Sequence, residues 1–139
     1  MSKKIKVAGF CIIVASAFLL IDCSMQRIAD QREGYSQKNI WAYYLYTDSD
    51  IRNAPRLSRN VRFTWVAQNG SQPQESRIVY DQKVDVNQIR HYLKMLSYEP
   101  VERSNHYERW ERRHKTMPAF YISQDNESGT TTLSRSSYR

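Results

Sequence analysis

Residues 84–100, VDVNQIRHYLKMLSYEP, decide the fold class. Asp85 is placed to accept from the first free amides of a helix. Gln88, three residues on, fits a capping box, and Val84 is spaced to staple onto Ile89. Val86, Ile89, Leu93 and Leu96 recur at helical spacing, and Tyr92 and Met95 widen the stripe. Asn87, Arg90, Lys94 and Ser97 face away. The spacing predicts an amphipathic helix over 86–97, stopped soon afterwards by Pro100. One apolar stripe needs a surface to cover, and the flanking sequence supplies it.

Upstream, residues 61–67 (VRFTWVA) put Val61, Phe63, Trp65 and Ala67 on one side of a strand and Arg62 and Thr64 on the other. Residues 75–81 (ESRIVYD) read as the return strand, after a connection containing Asn69-Gly70 and Pro73. Residues 39–47 (NIWAYYLYT), dense in aromatic and apolar side chains, carry the composition of a strand covered on both faces. Residues 48–60 contain Pro55 and clustered polar residues, and read as a loop. Downstream, 107–113 (YERWERR), 118–123 (PAFYIS) and 130–134 (TTTLS) are three more short strands. A turn is expected over 125–129, and residues 136–139 are expected to fray. Strands, one helix, then strands again indicate α+β: a small antiparallel sheet of five to six short strands with one main helix, preceded by a hydrophobic N-terminal helix.

That N-terminal segment sets the expected address. Lys3, Lys4 and Lys6 precede a charge-free run of fifteen residues, 7–21 (VAGFCIIVASAFLLI), which is the anatomy of an export signal. At 1.5 Å per residue the run spans roughly 22 Å, short of a hydrocarbon core of about 30 Å unless Lys6 snorkels. Ala15-Ser16-Ala17 has the form of a cleavage site, but cutting there would leave Phe18, Leu19, Leu20 and Ile21 at the new terminus. Retention is the expected fate, with Val7, Phe10, Ile13, Leu19, Leu20 and Ile21 as anchor residues and the lysines held in the cytoplasm. Residues 1–23 then form a signal-anchor, 24–38 a polar stalk, and 39–139 an exported domain.

Leu20-Ile21-Asp22-Cys23 resembles the lipobox of bacterial lipoproteins. The resemblance implies lipidation at Cys23 as the alternative anchor. Asp22 stands where the pattern takes Gly, Ala or Ser.

Both cysteines, Cys11 and Cys23, lie in or beside the apolar run, so the domain beyond holds no internal disulfide. A small exported domain without such staples fits a bacterial envelope. The net charge is +7, of which Lys3, Lys4, Lys6 and Asp22 account for +2, leaving +5 for the rest. Such an excess favours anionic partners. Arg52, Arg56, Arg59 and Arg62, together with Arg109, Arg112, Arg113 and Trp110, form one basic patch if the 48–60 loop lies near the 107–115 hairpin. That patch is the expected partner surface.

Chemistry finds little footing. His91, His106 and His114 form no HExxH or H-x-H arrangement, no serine sits in a G-x-S-x-G context, and four glycines provide no phosphate-binding loop. The carboxylate pairs Glu99/Glu102 and Glu108/Glu111 leave a cell-wall enzyme as a remote alternative. The expectation is a non-catalytic, membrane-tethered periplasmic protein of the inner membrane that binds another envelope protein. No metal, cofactor or nucleic acid is expected. The alternative is a lipoprotein whose basic surface faces lipid or lipopolysaccharide.

Overall fold

The computed structural model describes the backbone of residues 2–29 and 34–138, and the side chains of residues 3–18 and 34–138. The described residues form four helices, α1 (Ser2–Ala29), α2 (Ile40–Tyr46), α3 (Ser49–Arg52) and α4 (Val86–Met95). They form six strands, β1 (Val61–Val66), β2 (Gln74–Tyr80), β3 (Tyr98–Arg103), β4 (Tyr107–Arg112), β5 (Lys115–Asp125) and β6 (Thr130–Ser137). The strands make one sheet in the order β1-β2-β6-β5-β4-β3, every pair antiparallel. This is the expected α+β architecture.

Helix α4 begins where its signals place it. The Asp85 carboxylate accepts from the Asn87 amide at 3.0 Å, so the cap runs to Asn87 rather than through Gln88. A cap of this kind contributes about 1 kcal/mol. The helix ends at Met95, two residues before the expected stop, because Ser97 turns left-handed (φ 69°) and its amide returns to the Lys94 carbonyl. The chain then enters β3 directly. Pro100 sits inside that strand, where an edge position spares it the missing donor.

One sheet face carries the core. Phe63, Ile78, Leu133, Ile122, Phe120 and Trp110 project from it and are buried with Ile89 and Leu93 of α4, Ala42 and Tyr43 of α2, and Ile51 of α3. The registers bring them together across the strands: Phe63 faces Ile78, Ile78 faces Leu133, Leu133 faces Ile122, and Phe120 faces Trp110.

The expected strand over 39–47 is instead helix α2, the largest departure from the sequence reading. As a helix it turns Ala42, Tyr43 and Tyr46 inward at i, i+1 and i+4, with Tyr43 edge-on to Phe63 at 5.0 Å and Tyr46 against Trp65 at 4.8 Å. The stalk also changes. Residues 24–29 continue α1, residues 30–33 lie outside the described residues, and the packed unit has begun by Gly34. Tyr35 is buried and exchanges both backbone hydrogen bonds with Phe63 at 2.7 Å, covering part of the β1 edge. At the other end β6 runs through Ser137 rather than fraying, and the Tyr138 hydroxyl donates to the Ser71 carbonyl.

Candidate functional site

The sheet face opposite the core is uncovered by α2, α3 or α4 and contributes nothing to the core cluster. Strand alternation and register set its side chains in rows. The central row is Thr64, Arg77, Ser134, Tyr121 and Arg109, one residue from each of β1, β2, β6, β5 and β4. With strands spaced about 4.8 Å apart, the two arginines stand roughly 14 Å from each other across a floor of Thr132, Ser134 and Ser136 on β6. Arg77 donates through both guanidinium nitrogens to the Glu75 carboxylate at 2.9 and 2.7 Å. Arg109 donates to Glu111 at 3.1 Å and lies 5.5 Å over the Tyr121 ring. Tyr107 leans on Tyr121 from the next row. The face thus carries paired charges and two half-buried tyrosines, over a floor in which Ser134 and Ser136 are buried.

Of the expected partner-surface residues, only Arg62 and Arg109 lie on this face. They sit on β1 and β4, four strand spacings or roughly 19 Å apart, so the single basic patch does not form. Arg52 and Arg56 gather on the helical side near α2. The Arg52 guanidinium lies 5.2 Å over Tyr44, and Arg56 donates to the Tyr43 hydroxyl at 2.8 Å. Arg59 is exposed, and Arg62 pairs with Asp81 at 3.5 Å. Arg112 points to the core face and covers the Tyr98 ring at 4.8 Å, while Arg113 is exposed in the turn after β4. Trp110 is fully buried and cannot contact a partner; its even register on β4 aims it at the core. Arg77 and Tyr121 are on this face and are not singled out by the sequence. Both are on the polar-side alternation of their strands, a signal that needs the face assignment before it can be read.

The pair Glu108 and Glu111 is split by the sheet, while Glu99 on β3 stands opposite Glu111 in the register. Glu108 and Glu111 project to opposite faces of β4, Glu111 toward Arg109 and Glu108 toward α4. Glu102 accepts from the Tyr107 hydroxyl at 2.8 Å. The three histidines are exposed, and among the described residues no group of His, Cys, Asp and Glu is disposed to hold a metal ion. A small cleft of about 170 Å³ beside Trp65 and Ser76 contains Arg135, which the sequence reading did not single out. Its guanidinium pairs with Asp48 at 2.9 Å and Asp50 at 3.8 Å, tying α3 to β6.

Glu108 fastens α4 to the sheet. Burial alone would push its carboxyl up, but hydrogen bonds from Arg90 (closest 2.6 Å), with the charges of Arg90 and Arg103, hold it below the usual carboxylate range. Because the folded value is depressed, this stabilisation is present above the unfolded value of about 4.3 and is lost as pH falls through the folded value. Glu108→Gln is therefore expected to cost about 1–2 kcal/mol at pH 7. Its loss of stability on acidification should be shallower than the parent's when urea midpoints are followed from pH 7 to 3. Parallel acid limbs for the two proteins would remove the pair from the account.

Along α1, Val7, Phe10 and Ile13 are exposed, as are Ile5, Ile12 and Phe18, so apolar side chains emerge on every side of the helix. Among the described residues no helix is long and apolar enough to cross a membrane. Leu19, Leu20, Ile21 and Cys23 are helical in backbone, and their side chains lie outside the described residues. The fold and its surfaces thus define an α+β protein with one half-covered antiparallel sheet. Comparison of the chain with protein-family models, characterised proteins and solved structures finds no match.

Proposed function

We propose that this chain is a membrane-tethered, non-catalytic periplasmic protein that binds another envelope protein as a regulator, accessory subunit or immunity factor. The observation that carries the tether is α1: apolar side chains exposed around its circumference over residues 3–18, with lysines at its start. Such a surface is stable only against lipid or another apolar partner. The positive-inside bias of Lys3, Lys4 and Lys6 sends the domain to the periplasmic side. The open sheet face supports a protein partner, because arginine and tyrosine held rigidly on a scaffold are the side chains that anchor interfaces.

A photo-cross-linking residue placed at Tyr121 or Arg77 in the membrane-bound protein is expected to give a discrete heavier adduct, whereas the same residue at Lys94, on the helical side, gives none. Equal cross-linking at all three positions, or none at the open face, overturns the partner assignment. A phosphatase reporter fused after Arg139 tests the address independently and is expected to be active.

A further inference from the structure

Helix α2 directs a second set of side chains away from the core, and they are apolar too. Ile40, Trp41, Tyr44 and Leu45 are 60%, 67%, 61% and 61% exposed, and their i, i+1, i+4, i+5 spacing makes them one contiguous face. We propose that this face rests on the surface of the bilayer that α1 enters, with anionic phospholipid as its occupant. The inference depends on the tether reading and adds a second, interfacial contact to it.

Three observations choose lipid as the occupant. The first is reach. Gly34 follows Ala29 by five residues, at most about 17 Å of chain, and Tyr35 is fastened to β1. The end of the domain that carries α2 is therefore held close to the end of α1, and the two helices come into contact. The second is composition: a tryptophan and a tyrosine beside aliphatic residues match the headgroup boundary, where amphipathic rings settle. The third is charge. Lys38 and Arg59 line the same depression as Ile40, and Arg52 stacks on Tyr44 while donating to its carbonyl at 3.1 Å. Basic side chains at both ends of the apolar face are placed to meet lipid phosphates. Asp81 shares the depression and partly offsets them. The arrangement also aids a short anchor, because a stable hold on a membrane commonly takes two contacts when one is weak.

The test uses the full-length chain reconstituted in phosphatidylethanolamine–phosphatidylglycerol vesicles, with brominated acyl chains as the quencher. Trp110 is buried and Trp65 packs on Tyr46, so the difference between the parent and Trp41→Phe isolates Trp41. The expected result is a blue-shifted Trp41 component, quenched by brominated lipid and shielded from acrylamide, that is lost in Trp41→Phe. Ile40→Ser with Leu45→Ser, at exposed positions that leave the core intact, should restore acrylamide access while the chain stays with the vesicles. A chain that resists alkaline extraction but leaves Trp41 open to acrylamide and untouched by brominated lipid overturns the docking and leaves the tether standing. Shielding of Trp41 that appears only at high protein-to-lipid ratio assigns the face to a second copy and overturns it as well. Release of the whole chain by alkaline extraction overturns the tether, and the docking with it.

Discussion

Trp110→Ala is expected to destabilise the domain by about 3–5 kcal/mol, enough to unfold much of the population of a domain whose total stability is of ordinary size. Trp110 is fully buried near the centre of β4, opposite Phe120 on one side and Pro100 on the other. Removing the indole leaves a large cavity that rigid flanking strands cannot close. Trp110→Phe keeps most of the volume and should cost less. The measurement is the urea midpoint of each variant, with near-ultraviolet dichroism reporting the packing. A Trp110→Ala midpoint equal to the parent's would return this residue to the surface role that its arginine-rich neighbours suggest.

Gly34→Ala should be the next most damaging single change, for a backbone reason. Gly34 holds φ at +80°, in the region that side chains disfavour, and an added Cβ would stand 2.5 Å from the Phe63 carbonyl oxygen and 3.0 Å from Thr64 Cγ2. The strained conformation alone costs about 1–3 kcal/mol. Relieving the backbone clash requires the Tyr35–Phe63 bridge to open, which uncovers the β1 edge and withdraws the buried Tyr35 ring from Phe63. Hydrogen exchange at the Phe63 amide, which donates to the Tyr35 carbonyl, is expected to accelerate in this variant along with the fall in urea midpoint. Unchanged protection at Phe63 would separate the glycine from the bridge.

The damage these two substitutions are expected to do follows from different kinds of information. The sequence reading places Trp110 on the partner surface, because each side of the YERWERR strand holds one aromatic among charged residues, Tyr107 with Arg109 and Glu111 on one and Trp110 with Glu108 and Arg112 on the other, and neither side reads as core. The resolution comes from β5 and β3, which pair on either side and fix which alternation meets α4. Gly34 lies in a polar stretch with no signal of its own; its requirement arises from a strand far along the chain.

Helix α2 shows the same division. Its aromatic-rich composition satisfies strand propensity, and propensity is a weak prior where packing decides. As a strand it would alternate sides, whereas the observed burial of Ala42 and Tyr43, with Tyr46 half-buried one turn on, requires a helical turn against Phe63 and Trp65. Its remaining apolar side chains stay uncovered, so the assumption that a continuous apolar run is buried on both faces fails here. Strand β3 escaped notice because an exposed edge strand holding a proline lacks both alternation and a continuous apolar run.

What the sequence determined by itself was local. The start of α4 follows from a cap and a staple within six residues, β1 from strict alternation, the α+β class from the order of these elements, and the apolar character of α1 from fifteen uncharged residues. The tertiary structure alone decided the strand order, which pairs β2 with β6, Tyr80 with Thr131 and Gln74 with Ser137, far apart along the chain. That order set which arginines share a face, which carboxylates part company, and whether Trp110 is inside. The physical reason is that cap geometry and periodicity are properties of neighbouring residues. The lateral neighbours of a strand are chosen by the shape and apolar area of segments distant in sequence, and a one-strand change in that order rearranges every surface built on the sheet.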